Sequence, residues 1–345
     1  MVNILFSFPT TWDARTVASF EQIARRAGWG ACRSHTVTIG LTEAEAAAVH
    51  AACEGSVVLS DDEVILVCDA GGGTTDLSVL QVTGVQRGVP GLKQLMAVKG
   101  ETIGSTHIDG AFADFVHGRL LDISKQETLR TIEGRQLGFG SAAWAMTKSE
   151  QFQDNKCSCG WPDNPAVFYV PIPELSTTLT TANGLIQNGG LKITQQELRL
   201  LFDNQVQILF DLVDRQILDF AEQYGGMEIT RLVLSGGLGK SSYVPQKLQE
   251  KYGMHVRSPP TTHMTVHVSP ELQLAVCKGI CLDRVGKLRD GRSILGTRYC
   301  RASYGTEVKI PYDPKNKAHH RKKLQRDVHD KKDYICQGVE WFIKK

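Results

Sequence analysis

Hydrophobic and polar positions follow one another in blocks that predict alternating strands and helices at the start of the chain. An apolar strand runs from Asn3 to Phe8 and stops at Pro9. Asp13 then caps a helix whose apolar residues recur every three or four positions, and Gly28 ends it. The pattern next predicts a strand over His35 to Ile39. This strand–helix–strand order is typical of a layered α/β fold.

The same alternation continues to about residue 100. Thr42 and Glu45 have the spacing of a capping box, which predicts a helix that ends near Cys53. Short apolar runs bounded by turn residues predict three further strands, the first two of which flank a glycine-rich turn: Val64 to Val67, Leu77 to Val82, and Lys93 to Lys99.

The rest of the chain reads as a mixed α/β region followed by a β-rich end. Thr194 and Glu197 form a second capping box, which opens a long helix with a broad apolar stripe that continues to about Tyr224. The other predicted elements are helices over Ala142 to Asp154 and Pro270 to Val285, strands over Val167 to Val170 and Leu232 to Leu234, strands between Arg298 and Ile310, a charge-rich loop over Lys315 to Lys332, and a strand over Val339 to Ile343.

Composition narrows the class of protein without naming its chemistry. The chain has 345 residues, of which 41% are hydrophobic and 22% charged, and these are ordinary values for a globular protein. A net charge of +2 gives no reason to expect nucleic acid as a partner. No apolar run approaches the ~20 residues of a membrane span, so we expect no membrane partner either. The nine scattered cysteines and the lack of a secretory signal favour a cytoplasmic protein.

The glycine-rich turn is the first candidate site. Gly71, Gly72 and Gly73 lie between Asp69 and Thr74-Thr75-Asp76. Glycines admit positive φ and a close ligand, and successive backbone N–H groups form an anion site suited to phosphate. Asp69 and Asp76 offer hard oxygens for Mg²⁺ held largely through water. The plainer interpretation is a hairpin turn with two solvated aspartates.

The full string from Asp69 to Asp76 resembles the second phosphate motif of the actin-like ATPase superfamily, in the form Asp-x-Gly-Gly-Gly-Thr-x-Asp of the seventy-kilodalton heat-shock proteins. The resemblance implies an α/β, actin-like ATPase (ribonuclease H-like) fold with two lobes. It also implies ATP or ADP as the cofactor, with Mg²⁺ held through water by Asp69 and Asp76. The N–H groups of Gly71 to Thr74 and the Thr74 hydroxyl would hold the phosphates.

Four other segments resemble the same family. The stretch from Leu41 to Ala51 places Glu43 on the family glutamate beside the metal, so Glu43 joins Asp69 as a catalytic candidate, although a first-turn acid that favours the helix dipole fits as well. Gly104 matches the family stretch that passes near the phosphates. Lys148 matches a lysine that contacts the ribose, unless it is a solvated helix residue. Gly236 and Gly237, after a strand, resemble the motif that backs the adenosine.

The resemblance also divides the chain. Residues 1–58 would form part of lobe I and 59–268 lobe II, with 105–190 as its outer subdomain. Residues 269–288 would be the closing helix of lobe I and 289–345 a β-rich extension. The family's first phosphate loop and its catalytic lysine have no counterpart, so we expect lobe I to be incomplete and the chain to be N-terminally truncated relative to the family. The C-terminal end of the chain resembles the atypical "member twelve" branch of the seventy-kilodalton heat-shock family.

These features predict an ATP- or ADP-binding protein of the heat-shock-seventy-like, chaperone-like class with weak or no hydrolysis, because phosphoryl transfer needs several stabilising groups at once. Its partners would be the nucleotide and, as the resemblance implies, protein clients or a partner chain. Two alternatives stay open: a small-molecule kinase on the same fold, and a non-catalytic interaction module that retains it.

Overall fold

The computed structural model describes residues 2–54, 59–86, 89–253, 264–269, 271–300 and 303–343. The predicted helix start at Pro270, the predicted boundary at residue 58 and strand positions 301–302 lie outside these ranges. The chain divides into two compact units, Met1–Thr297 and Arg298–Lys345, called unit 1 and unit 2 below.

Unit 1 is a mixed α/β structure. Its elements in chain order are β1 (Val2–Phe8), α1 (Ala14–Arg26), β2 (His35–Thr42), α2 (Glu43–Cys53), β3 (Val64–Ala70), β4 (Thr75–Gln86), β5 (Val89–Gln94), β6 (Lys99–Glu101), α3 (Ser105–Ser124), α4 (Phe139–Met146), α5 (Glu150–Cys157), β7 (Val167–Pro171), β8 (Ile186–Gln187), β9 (Gly190–Thr194), α6 (Gln195–Gln223), β10 (Ile229–Ser235), a 3₁₀ helix (Gly237–Lys240), α7 (Tyr243–Tyr252), β11 (Thr265–Val268), α8 (Ala275–Asp290) and β12 (Leu295–Thr297). In the described ranges no helix combines the length and apolar character needed to cross a membrane.

A seven-stranded sheet organises unit 1. Its strand order is β11-β10-β3-β4-β5-β12, and β6 pairs with β4 along the edge opposite β3. Strands β3, β4 and β5 form an antiparallel meander, whereas β10 runs parallel to β3 and β11 parallel to β10. Strand β3 is buried along its whole length, which agrees with its continuous apolar run from Val64 to Cys68.

Helices cover both faces of this sheet. On one face, Val64, Leu66 and Cys68 pack in a large core with residues of α3, α6 and α7. On the other face, Ile65 and Val67 pack in a second core with residues of α2 and α8. Because neighbouring strand residues point to opposite faces, Asp69 lies on the face that α2 covers.

Helices α2 and α8 approach each other closely. A Cβ atom at Gly279 would overlap the carbonyl of Ala46, so only glycine permits this crossing. The capping box of Thr42 and Glu45 at the start of α2 is confirmed. The closing helix begins at Ala275, later than predicted, because residues 271–274 form turns, and it continues to a left-handed cap at Gly291.

The first two strands form a separate parallel pair. Among the described residues β1 pairs only with β2. Helix α1 begins at the predicted cap Asp13, whose side chain accepts a hydrogen bond from the Thr16 amide. Phe6 packs edge to face against both Phe20 and Trp29.

Two predicted elements are each divided in the structure. The helix predicted over Ala142 to Asp154 is split into α4 and α5, because the Ser149 side chain caps a new helix by accepting from the Phe152 amide. The strand predicted over Lys93 to Lys99 is split into β5 and β6. By contrast, the long helix α6 and its capping box of Thr194 and Glu197 are confirmed.

Unit 2 is a three-stranded antiparallel sheet in the order β13-β15-β14, made of β13 (Tyr304–Pro311), β14 (Leu324–Arg326) and β15 (Asp333–Ile343). The predicted charge-rich loop therefore contains a short strand. Among the described residues of unit 2, Ile335 is the only one that is buried.

Candidate functional site

The glycine turn joins β3 to β4 at one end of the sheet. The strands pair in register up to Ala70 opposite Thr75, and the Gly71 amide donates to the Thr74 carbonyl at 2.9 Å. The N–H groups of Gly72, Gly73 and Thr74 donate to no described residue. A Cβ atom at Gly72 or Gly73 would meet nothing within 4 Å. The turn thus presents free donors on an open side.

The conformation of these glycines differs from the expectation. None of Gly71, Gly72 and Gly73 has φ in the left-handed region, so the expectation that the turn uses positive φ is wrong. The tight turn is closed instead by the hydrogen bond between Gly71 and Thr74. What glycine contributes here is a bare backbone that an anion can approach.

Helix α3 begins against the inner side of the turn. The Ser105 amide donates to the Gly71 carbonyl at 3.2 Å, and the Thr106 amide and hydroxyl both donate to the Gly72 carbonyl at 2.8 Å. A side chain at Gly104 would collide with those two carbonyls. Gly104 therefore lies next to the turn, as predicted, but its role there is to let the helix approach.

Two carboxylates face each other at the base of the turn. Asp69 and Asp76 are direct partners across β3 and β4, and their side chains are only 8% and 2% exposed. Burial, with the negative charges of Asp76 and Glu43, raises the pKa of Asp69 to about 7. Burial also raises the pKa of Glu43, which begins α2 above this end of the sheet. Asp69 and Asp76 are therefore direct neighbours, and Glu43 lies near enough for its charge to act on Asp69.

The donor set suits a hydrated cation. Buried carboxylates that repel one another are stabilised by a divalent ion, and Mg²⁺ usually keeps several waters while it uses one or two carboxylates. Within the described ranges no group of three or more His, Cys, Asp or Glu residues is arranged to ligate one ion directly. Asp69 and Asp76 fit Mg²⁺ held largely through water.

The glycine pair after β10 borders the same site. Ser235 is in register with Asp69, and Gly236 follows with φ of +87°. A Cβ atom at Gly236 would overlap the Ala70 carbonyl and lie 2.8 Å from Asp69 Oδ1. At Gly237 the equivalent space is empty to 4 Å, so an open backbone surface continues from the carboxylates.

Lys148 was predicted to lie within a helix, but it lies in the break between α4 and α5. It is exposed, and its Nζ sits 5.2 Å from the centre of the Trp144 ring. No contact joins Lys148 to the glycine turn or to the glycine pair in the described part of the chain. The lysine that does reach the start of α3 is Lys156, whose Nζ lies 3.4 Å from the Ser105 carbonyl.

Sequence reasoning missed two groups of residues near the site. Lys156 and its partner Asp109 are buried, and the only sequence signal was the position of Lys156 on the apolar side of α5, one turn after Phe152. Gly100 packs against the Asp76 carboxylate, and a Cβ atom there would also lie 3.6 Å from the Thr11 methyl group. The loop after β1 thus approaches Asp76.

Comparisons with known proteins give one match to a family profile and matches to solved structures. A family profile described as a domain of unknown function, DUF8568, matches residues 298–345. No curated protein sequence matches the chain. Among solved structures, MreB 5 of Spiroplasma citri bound to AMPPNP matches with a TM-score of 0.50 and 14% identity, over 83% of this chain and 69% of that one. The same protein bound to ADP matches with a TM-score of 0.49 and 14% identity, over 84% and 71%. The AMPPNP-bound match, together with the mixed α/β architecture, shows that the chain has an actin-like ATPase fold.

Proposed function

We propose that the chain binds ATP or ADP with Mg²⁺ at the glycine turn, as a protein of the heat-shock-seventy-like class with weak or no hydrolysis. The observation that carries the proposal is the set of free N–H groups from Gly72 to Thr74 beside the buried pair Asp69 and Asp76. Successive free amides bind phosphate oxygens, and adjacent carboxylates bind the accompanying cation.

The remaining candidate residues extend this proposal. Gly236 and Gly237 would support the adenosine, and Glu43 would act beside the metal with Asp69. The structural neighbours are bound to AMPPNP and to ADP, which supports a nucleotide as the ligand. The heat-shock-type class and protein clients rest on the motif from Asp69 to Asp76. Within the described ranges no contact of Lys148 supports a ribose role.

Binding is tested by thermal unfolding with and without Mg-ADP. A ligand that binds only the folded state stabilises it by about 2.7 kcal/mol at a hundredfold excess over Kd, so the melting temperature should rise. Gly72→Val should fold, because its side chain points into open space, but lose this response because the valine covers the free amides. Gly140→Val, at another exposed and open glycine, is the matched control. An unmoved melting temperature in the unmodified protein would favour the non-catalytic module.

We further propose that turnover is slow. The first phosphate loop and the catalytic lysine of the heat-shock family have no counterpart in the sequence, so fewer groups would stabilise the charge of the transition state. A single preorganised donor for transition-state charge is typically worth about a hundred- to a thousandfold in rate. Steady-state phosphate release should therefore be close to background and unchanged in Asp69→Asn. Clear hydrolysis that Asp69→Asn removes would contradict the proposal, and phosphorylation of a small molecule in a substrate screen would indicate the kinase alternative.

A further inference from the structure

A buried ion pair lies behind the glycine turn. Lys156 on α5 donates to Asp109 on α3 at 2.5 Å, and the two side chains are only 9% and 8% exposed. Gln153 donates to the same carboxylate oxygen at 3.3 Å. Desolvation of two charges costs as much as or more than their attraction returns, so such a pair is weak evidence for stability. We therefore expect this pair to have a role beyond holding the fold together.

The contact between α3 and α5 does not need these charges for its apolar packing. Phe112 and Phe152, from the same two helices, stack with ring centroids 3.8 Å apart and planes 17° from parallel. Both rings belong to the large core of unit 1. The ion pair is thus not needed to bring α3 and α5 into contact, and its contribution must be of another kind.

That addition is a fixed position for the first turn of α3. Asp109 lies one helical turn after Ser105, and the Lys156 ammonium group that pairs with Asp109 also donates to the Ser105 carbonyl at 3.4 Å. The amides of Ser105 and Thr106 in turn donate to the carbonyls of Gly71 and Gly72. A continuous chain of polar contacts therefore runs from Lys156 to the glycine turn.

The geometry of the peptide bond gives this chain a consequence for ligand binding. In a trans peptide the carbonyl of one residue and the N–H of the next point in opposite directions. Because α3 holds the carbonyls of Gly71 and Gly72 on the inner side, the N–H groups of Gly72 and Gly73 point to the open side. The position of α3 thus sets the direction of the donors assigned to phosphate.

We propose that Lys156 and Asp109 are positioning residues that hold the first turn of α3 against the carbonyls of Gly71 and Gly72 and so aim the phosphate-binding N–H groups. The ligand part of this inference rests on the proposed function, whereas the positional part concerns the unliganded protein.

The test variant is the double substitution Asp109→Leu/Lys156→Met. Apolar residues of similar volume can replace a buried ion pair without loss of folding, but they cannot hold the Ser105 carbonyl. Calorimetric titration should show affinity for Mg-ADP reduced at least about tenfold, with affinity for adenosine, which lacks phosphates, within about twofold of the unmodified protein. A purely structural role would lower both affinities together.

The matched control is Arg119→Met. Arg119 pairs with Glu197 on α6 and also belongs to α3, but lies 14 positions after Ser105, about 21 Å along the helix. This variant should be less stable yet keep the preference for Mg-ADP over adenosine. An unchanged preference in the folded double variant, or an equal loss in the control, would overturn the positioning role.

Amide hydrogen exchange without nucleotide separates this inference from the proposed function. Exchange at Ser105 and Thr106 should accelerate at least about tenfold in the double variant and remain unchanged in Arg119→Met. If the unmodified protein binds no nucleotide, the proposed function fails, but faster exchange at these two amides would still support the positional role. Unchanged exchange in the double variant would refute that role whatever the nucleotide does.

Discussion

At the scale of the residue, Asp69 is unusual because it is an acidic side chain buried beside other acidic side chains. It is buried beside Asp76 and near Glu43, so its carboxylate loses water and gains two negative neighbours. A carboxylate that is buried beside other negative charges holds its proton more tightly than a solvated one. The raised pKa of Asp69 follows from this burial and from these neighbours, and it makes the stability of the protein depend on pH.

We predict that Asp69→Asn stabilises the metal-free protein more at pH 8 than at pH 5. The pKa of Asp69 is raised to about 7 in the folded state from 3.8, so between these values the folded state binds more protons than the unfolded state. Its contribution to stability then falls as pH rises toward 7. The gain from the substitution should grow by at least about 1 kcal/mol between the two pH values, since one pKa unit is worth about 1.4 kcal/mol.

Urea unfolding at both pH values in the presence of a chelator measures this difference. Addition of Mg²⁺ at pH 8 should stabilise the unmodified protein and leave Asp69→Asn unaffected. A difference between the two proteins that does not change with pH would show that Asp69 is ionised throughout.

The residues that could be predicted are those whose neighbours are close in sequence. Asp69, Gly71 to Gly73 and Asp76 lie within one hairpin, so their juxtaposition follows from two strands and a short turn. Asp109 and Lys156 are 47 residues apart and meet only through the packing of two helices, which a local pattern does not contain. Lys148 was predicted to lie within one continuous helix, because the break at Ser149 has no strong signal in the local pattern.

At the scale of the element, the crossing of α2 and α8 determines where Glu43 lies. Thr42 and Glu45 fix the start of α2, and Ala46 contacts α8 one turn later. The small residues of α2 permit this approach, and the helix is buried almost throughout. The position of Glu43 near Asp69 therefore depends on a close contact between two helices that are far apart in the sequence.

We predict that Gly279→Ala destabilises the protein by about 1–3 kcal/mol, the usual cost of overpacking a core. The new methyl group would overlap the Ala46 carbonyl and force α2 and α8 apart. Gly118→Ala is the control, because Gly118 is exposed in the helix interior of α3 with nothing within 4 Å of its Cβ position. It should be neutral or stabilising by up to about 1 kcal/mol, since alanine favours helices. Equal effects in chemical denaturation would show that the crossing tolerates a side chain.

Element types were easier to predict than element ends. Capping boxes located the starts of α2 and α6, since their hydrogen bonds involve residues only three positions apart. The start of α8 and the separation of α4 from α5 depend on turns with no strong local signal. The division of the strand predicted over Lys93 to Lys99 follows from pairing: β5 and β6 both join β4, at different places along it.

At the scale of the whole molecule, the near-zero net charge conceals an uneven distribution. Residues 298–345 contain 13 Lys and Arg residues against 6 Asp and Glu residues, whereas the whole chain has 39 against 37. Unit 2 is therefore strongly basic and unit 1 is acidic. The family profile matches the basic unit alone, and the structural likeness that shows the fold extends over 83% of the chain. The overall charge was thus a poor guide to the character of either unit.

The β1–β2 pair is a small sheet that joins no other strand among the described residues. Both faces of this pair are packed: Phe6 contacts Phe20 of α1, while Leu5 packs against the core beneath α2 and α8. The edge of β1 that faces away from β2 is not paired in this way, because β2 is the only partner of β1 among the described residues. Strand β1 has no charged side chain, and along residues 3–7 its edge away from β2 pairs with no other described strand, so this edge can pair with another chain. We therefore expect the protein to self-associate through β1.

Sedimentation velocity at micromolar concentration should show a species larger than the monomer. Val2→Lys, which places a charge on β1, should shift the protein toward monomer, since edge lysines oppose strand pairing. Ile23→Lys alters another exposed apolar residue, on α1 and outside that strand, and should leave the association unchanged. A monomer whose amides exchange slowly along the whole of β1 would contradict the prediction, because protection without association requires that another part of the same chain already covers the edge.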